Sequence, residues 1–397
     1  MKKIFYGKAV YGKKEIDAAI KVLKENKLSL MDGPKVKILE KKVANIFGKK
    51  FGLMVNSGSS ANLLALSSLN LKKNDEVITP ALTFSTTVSP IIQLGLKPHF
   101  IDIEPKKFVC GIKEIEKNIS KKTKALMIPN LLGNLPDWYQ IIKLAKKYNI
   151  KVIEDSADTI GYKLNKINNN TGSDIVTTSF YASHVVTGAG FGGMVCFNDK
   201  KLYHKAKLLR GWGRASTILG ETENPKDRFK TKLKGIDYDA KYIFQEFGYN
   251  FLPSEVCAAF ALEQIKKLPK NINSRIRNFN NLKNFFSKYD DVFETPDMYK
   301  NIKTGWLAFP VVLKRNSKYK RKNLQIFLEK NNIQTRTIFT GNILKQPVFY
   351  NQKYRKNKNG YKESDHVMKN GILIGCHHGM RKKELDYIKS TFVKFIS

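Results

Sequence analysis

Cysteine is scarce. Four residues, Cys110, Cys196, Cys257 and Cys376, stand far apart in 397, with no Cys-x-x-Cys pair among them. That argues against a disulfide framework and a zinc ribbon, and it fits a reducing, cytoplasmic setting. No apolar run reaches the roughly 18 residues that a membrane-spanning helix needs. The opening Met1-Lys2-Lys3-Ile4-Phe5-Tyr6-Gly7-Lys8 is basic but has no apolar core behind it, so no secretory signal is expected. Acidic residues are also few: Asp and Glu total 34 against 71 Lys and Arg, a net charge of +37. The surplus is mostly Lys, dispersed from end to end beside abundant Asn and Ile. Dispersed charge reads as compositional drift rather than as a nucleic-acid surface. Neither nucleic acid nor membrane is therefore expected as a partner, whereas a positive field favours an anionic small substrate. Hydrophobic residues at 42% and charged residues at 26% are those of a globular chain.

What is present alternates. Ile16, Ala19, Ile20 and Leu23 recur at helical spacing, and a second helix is expected over 36–47. Short β-rich runs follow at 76–79, 98–102, 125–128, 151–154, 175–180 and 193–197, with helical stretches such as 137–148 between most of them. Strands alternating with helices predict a mostly parallel sheet covered on both faces. Beyond Pro253 the pattern changes to two long helical stretches, 254–268 and 272–288. Then come strands near 306–313, 335–338 and 372–374, with helices near 322–330 and 382–395. The expected architecture is a large α/β domain over 1–255 and a smaller α+β domain over 256–397.

Six segments carry chemistry. Asn56-Ser57-Gly58-Ser59-Ser60-Ala61-Asn62 precedes a helical run at 63–71, and small hydroxyl residues opening a helix make an anion seat. In Val152-Ile153-Glu154-Asp155-Ser156-Ala157-Asp158 an apolar strand ends in acids, which in an open α/β sheet face the ligand cleft. Such an Asp could hold a protonated pyridine nitrogen, bind a metal or cap a helix. Ser179-Phe180-Tyr181-Ala182-Ser183-His184 leads to four glycines in the six positions 188–193. It is a polar loop with one histidine and a turn where backbone can approach a ligand. Gly248-Tyr249-Asn250 enters a Pro-led helix. Arg336, in Gln334-Thr335-Arg336-Thr337, is a cation for a phosphate or carboxylate. His377 and His378 are adjacent, so on an extended chain they face opposite ways, and no metal site is expected.

In this order the segments resemble the vitamin B6-dependent sugar-nucleotide aminotransferase and dehydratase family (the DegT/StrS type), of aspartate-aminotransferase fold, the PLP fold type I. The resemblance runs from Asp32-Gly33-Pro34 to Gly379. It implies that Ser57, Gly58 and Ser59 bind the phosphate of pyridoxal or pyridoxamine phosphate (PLP or PMP). It implies that Phe84 stacks on the ring, that Asp155 meets the ring nitrogen and that Asp158 lies near the ring hydroxyl. Ser179 becomes a second phosphate ligand. Asn250 reaches the phosphate of the other subunit, which implies a homodimer, and Arg336 binds substrate.

Two departures from the family pattern matter. Family aminotransferases carry a Schiff-base Lys where His184 stands, and no Lys occurs from Ser179 to Met194. Imidazole cannot form that bond, so PMP would bind noncovalently. The pattern is similar to the 3-dehydratases of 3,6-dideoxy-sugar (surface-polysaccharide) biosynthesis, with His184 as base. Arg210-Gly211-Trp212-Gly213-Arg214 looks closest to the CDP-4-keto-6-deoxyglucose branch. That branch's best-known type holds a 2Fe–2S cluster on bunched cysteines, yet residues 215–228 contain none, so the cluster is expected to be absent. The resemblance thus implies a PMP-dependent 3-dehydratase of an NDP-4-keto-6-deoxyhexose. Glutamate would remake PMP, with an external reductase as the other ending. A sugar aminotransferase and a cofactor-binding regulatory paralogue are the competing readings.

Overall fold

The computed structural model describes residues 2–25, 30–164, 170–219, 224–300 and 302–397. Eight strands belong to the first half: β1 (Phe51–Val55), β2 (Glu76–Pro80), β3 (Lys97–Ile101), β4 (Thr123–Pro129), β5 (Lys151–Ser156), β6 (Lys163–Leu164), β7 (Ile175–Ser179) and β8 (Gly193–Phe197). All but β6 form one seven-stranded sheet in the order β1-β8-β7-β5-β4-β2-β3. Pairing is parallel from β7 through β5, β4 and β2 to β3. Only β8 runs against its neighbours β1 and β7. A strand inside a sheet covered on both faces is buried on both sides, which is why β2, β7 and β8 read as unbroken buried runs.

Alternation along each strand divides the core. Met54, Leu126, Ile128, Val152 and Val176 pack with Val36, Trp138 and the start of the helix Glu255–Phe286. Leu53, Val55, Ala125, Met127, Ile153 and Ile175 face the other way, towards Leu64 and Ile91 of the helices Gly58–Ser68 and Ser85–Gln93. The two-residue period therefore sends Glu154 to one side of the sheet and Asp155 to the other.

A hairpin of β9 (Thr231–Leu233) and β10 (Ile236–Tyr238) is solvent-exposed. Beyond it, β11 (Phe293–Glu294), β13 (Phe309–Leu313), β14 (Arg336–Thr337) and β15 (Gly371–Ile374) form an antiparallel sheet in the order β11-β13-β15-β14. The remaining short strand, β12 (Ile302–Lys303), pairs with β6.

Three expectations differ from the structure. The two helices expected over 254–288 are one helix, Glu255–Phe286, with Pro269 inside it. A proline removes one backbone bond, and burial along both flanks outweighs that cost. Ala258 and Ala261 sit in the large core while Phe279, Leu282 and Phe286 sit in the small one. The helix after the serine turn begins at Gly58 rather than at 63, because Ser57 caps it. Ile4 belongs to the core of the small sheet and pairs with Ile333, so the chain start packs with its end.

Candidate active site

The carboxyl ends of β1, β5 and β7 and the start of β8 meet along one edge of the sheet. Ser57 is the N-cap of Gly58–Ser68, its Oγ accepting from the Ser60 N–H at 3.1 Å. The first N–H groups of that helix point outward with the positive end of its dipole. A Cβ on Gly58 would lie 2.6 Å from the Cβ of Ser179. One on Gly193 would lie 2.3 Å from the Ser57 carbonyl oxygen. Both positions thus need glycine, and the close approach gathers Ser57, Gly58, Ser59 and Ser179 into one cup. The Ser179 hydroxyl accepts from the Tyr181 N–H at 3.3 Å.

Asp155 closes the end of β5 and is buried. One carboxylate oxygen accepts from Asn62 Nδ2 and from Thr87 Oγ1, both at 2.8 Å, and the other from the Ala157 N–H at 3.1 Å. Asn62 is fixed in turn by Thr177, whose hydroxyl donates to Asn62 Oδ1 at 2.6 Å. Every donor to the carboxylate is neutral. Burial therefore pushes Asp155 above the ordinary carboxylate range, against the pull of those three bonds. An acid held by neutral donors alone is short of a cation, and a protonated pyridine nitrogen supplies one. The residues present fit a B6 cofactor on this count and on the phosphate cup.

Asp158 is buried and accepts from the Leu132 N–H at 2.8 Å. Burial, aided by the nearby Asp155 charge, pushes it up to about 7. Glu154, on the opposite face, accepts from Asn130, Ser156, Tyr162 and Thr171 and anchors the strand from behind.

His184 sits in the turn after β7, its ring 5.7 Å from Tyr181 and edge-on to it. Nδ1 is buried and has no hydrogen-bond partner. Burial pushes the imidazole down to about 4, the Ser179 carbonyl opposing and the Arg275 guanidinium adding to the shift. The ring is therefore neutral at pH 7. Arg275 is fully buried without a carboxylate: it donates to the carbonyls of Trp306 and Leu307 and to His378 Nδ1.

Phe84 is half exposed, and its ring lies 6.1 Å from that of Phe339, edge-on. Thr340 Oγ1 donates to the Thr83 carbonyl at 2.7 Å, so the segment that carries Arg336 is tied beside Phe84. Arg336 is exposed, stacked over Tyr6 at 5.0 Å. Asn250 is exposed and pairs with Gly211 in its own chain. Sequence reading missed Asn62, Thr87 and Arg275. Asn62 stood in the motif, one helical turn past Gly58, and that spacing was the available signal. Thr87 had none.

The cysteines are dispersed. Cys110 and Cys196 lie in the large core, Cys376 lies in the small one and Cys257 is half-buried. Burial pushes the thiols of Cys110 and Cys376 up to about 12. Among the described residues no group of three or more His, Cys, Asp or Glu side chains is placed to hold a metal. No described helix is long and apolar enough to cross a membrane.

With this geometry in place, comparison adds relatives. The profile of the DegT/DnrJ/EryC1/StrS aminotransferase family matches residues 10–393. The lipopolysaccharide biosynthesis protein RfbH of Salmonella typhimurium is 35% identical over 90% of this chain and 84% of its own length. A GDP-4-keto-6-deoxy-D-mannose 3-dehydratase of Yersinia pseudotuberculosis is 32% identical over 93% of both chains. A solved GDP-4-keto-6-deoxymannose-3-dehydratase with a trapped PLP-glutamate geminal diamine superimposes with a TM-score of 0.85. It is 28% identical, over 98% of this chain and 99% of the other.

Proposed function

Because the chain belongs to the DegT/DnrJ/EryC1/StrS aminotransferase family, whose members are PLP-dependent, we propose that it is a PMP-dependent 3-dehydratase acting on a nucleotide-linked 4-keto-6-deoxyhexose. One observation carries the reading. His184, neutral and with an unpartnered Nδ1, stands within the Lys-free stretch Ser179–Met194, where the family resemblance places a Schiff-base lysine. The dehydratase names of the relatives support it.

When bound, the cofactor supplies an amine that condenses with a ketone and a ring that stores electrons. The protein supplies the rest. Ser57, Gly58, Ser59 and Ser179 hold the phosphate, and Phe84 covers the ring. Asp155 keeps the ring nitrogen protonated, and Asp158, its carboxyl pushed up to about 7, donates in its protonated form to an oxygen at the ring's edge. His184 accepts a carbon-bound proton and hands it to the departing C3 hydroxyl of the sugar. A lysine amine would pass that proton to sugar C4 and complete an amination, so imidazole in its place favours elimination. Arg336 and the net positive field draw the diphosphate. The working enzyme is a homodimer in which Asn250 completes the partner's phosphate site. It functions without an iron–sulfur cluster, and glutamate remakes PMP.

The test is product analysis. PMP-loaded protein is given GDP- or CDP-4-keto-6-deoxyhexose with and without glutamate, and products are read by mass spectrometry. The expected product has lost one oxygen atom, accumulates only with glutamate and is matched by 2-oxoglutarate. A 4-amino sugar would identify an aminotransferase instead. Product that forms only after adding a reductase would overturn the glutamate ending.

A further inference from the structure

The phosphate cup and Asn250 serve different sites in the proposed dimer, yet in the chain they are neighbours, and one buried side chain stands between them. Arg210 ends the helix Lys200–Arg210 and is 1% exposed. Its Nη1 donates to the Met54 carbonyl at 2.8 Å and to Glu40 Oε1 at 3.2 Å. The same Glu40 oxygen accepts from the Met54 N–H at 2.8 Å. β1 is an edge strand, so both polar groups of the Met54 peptide would otherwise be unpaired on that side, and Glu40 with Arg210 caps them together.

Two residues further on, the edge is taken over by backbone. The Asn56 N–H donates to the Phe251 carbonyl at 3.1 Å, and the Phe251 N–H donates to the Arg210 carbonyl at 3.0 Å. Asn250 itself pairs with Gly211. The segment 249–251 thus lies beside the end of β1, with the carbonyl of Phe251 held by the residue before Ser57 and its N–H by the Arg210 carbonyl. Arg210 Nη2 reaches Asp32 at 2.5 Å, and the Asp32 N–H is in turn bonded to the Pro253 carbonyl at 3.2 Å. The Arg210 side chain thus links Met54 near the end of β1 to Asp32, which holds Pro253 just past the Asn250 segment, while its backbone carbonyl holds Phe251.

We propose that Arg210 is a positioning residue that couples the two cofactor sites of the dimer, by locking the cup at Ser57–Ser59 of one site to the Asn250 that the same chain presents to the other. Phosphate bound against Asn250 holds 249–251 still. The Phe251–Asn56 bond and the Arg210 clamp pass that order to the cup of the same chain, which its own cofactor then finds already arranged. Loading of the first site eases loading of the second. The inference rests on the homodimer reading above and not on the dehydration chemistry.

The experiment titrates full-length apoprotein with PMP and follows binding by calorimetry and by cofactor fluorescence. Sedimentation is run on the same samples. The expected result is a dimer whose second site binds about fivefold more tightly than its first, within the usual range of such coupling. Arg210→Lys keeps the charge but cannot fork between Met54, Glu40 and Asp32. It is expected to remain dimeric, to bind PMP more weakly and to show independent sites. Asn250→Ala, an exposed change that leaves the clamp intact, is expected to lose the coupling as well. Independent, equal sites in the wild-type dimer would overturn the proposal, and so would undiminished coupling in Asn250→Ala. A monomer with a single-site isotherm would instead overturn the homodimer reading beneath it. Absence of dehydratase activity would bear on neither isotherm.

Discussion

Two arginines are almost wholly inaccessible in this protein, and their surroundings are opposite. Arg210 lies between two carboxylates, Asp32 and Glu40. Arg275 has none: two carbonyls and one imidazole nitrogen receive it, and Nη2 is left without a partner. The first is a charge-matched clamp beside the end of β1 that leads into the Ser57–Ser59 turn. The second is an unmatched charge near His184, and it disfavours a proton on the imidazoles of His184, His377 and His378. One fold thus uses the same side chain to fix geometry in one place and to set a protonation state in another.

The sharpest break is at the base. His184→Asn removes the only group proposed to move a proton, and turnover is expected to fall about a thousandfold, within the range for lost acid–base catalysis. PMP affinity should barely change, because the cup and Asp155 are untouched. A large loss of affinity would place His184 among the binding residues.

The second break concerns the clamp. Arg210→Met leaves Asp32 and Glu40 facing each other without a cation, and the expected cost is about 3–5 kcal/mol. Burial already pushes Glu40 up to about 7, against the pull of Arg210. Protonating Glu40 removes one of the two stranded charges. The cost should therefore be smaller at pH 6 than at pH 8, which urea unfolding of both proteins at both values would read.

Arg275→Met sharpens the contrast. It strands two carbonyls rather than two charges, so the expected loss is about 1–3 kcal/mol. Its signature is a shift in pH dependence. The base works when neutral, so kcat/KM falls as pH drops through the His184 value of about 4. Without the cation, imidazolium is easier to form, and the acidic limb should move upward. An unmoved limb would show that burial alone sets the base.

The smallest effect at neutral pH is on acid stability. Burial is the largest cause holding His99, His184 and His377 down to about 4 and His378 to about 3. Each is depressed below its unfolded value, so the unfolded chain binds more protons over that window. The contribution of these groups to stability is complete above about pH 6.5 and is lost as pH falls towards 4. Near pH 5 unfolding should take up between roughly three and four protons at these residues, measurable as the slope of unfolding free energy against pH.

Much of the site was legible because it is local. A hydroxyl-glycine-hydroxyl turn before a helix and an acid at the end of an apolar strand declare themselves within a few residues. So did the parallel sheet, whose strand expectations fell within one or two residues of β2 to β5 and matched β8. What was not legible is long-range. Thr87 meets Asp155 from 68 residues away, and Arg210 meets Glu40 from 170 away. Arg275 lies in a helix rich in basic residues, and only packing against Trp306 and Leu307 reveals it as buried. The continuity of the helix through Pro269 was hidden for a related reason: local chemistry marked a break, and two cores held it together. The Glu154–Asp155 pair shows what period-2 reasoning does provide, since alternation alone assigns one acid to the cleft and the other to the scaffold.

The central claim is that this family member works with His184 in place of a lysine and holds its cofactor noncovalently. Protein saturated with pyridoxal phosphate, treated with borohydride and digested, would test it by peptide mass spectrometry. The account predicts no lysine peptide labelled near stoichiometry, and one labelled peptide in His184→Lys. A single lysine labelled stoichiometrically in the wild-type protein would contradict it.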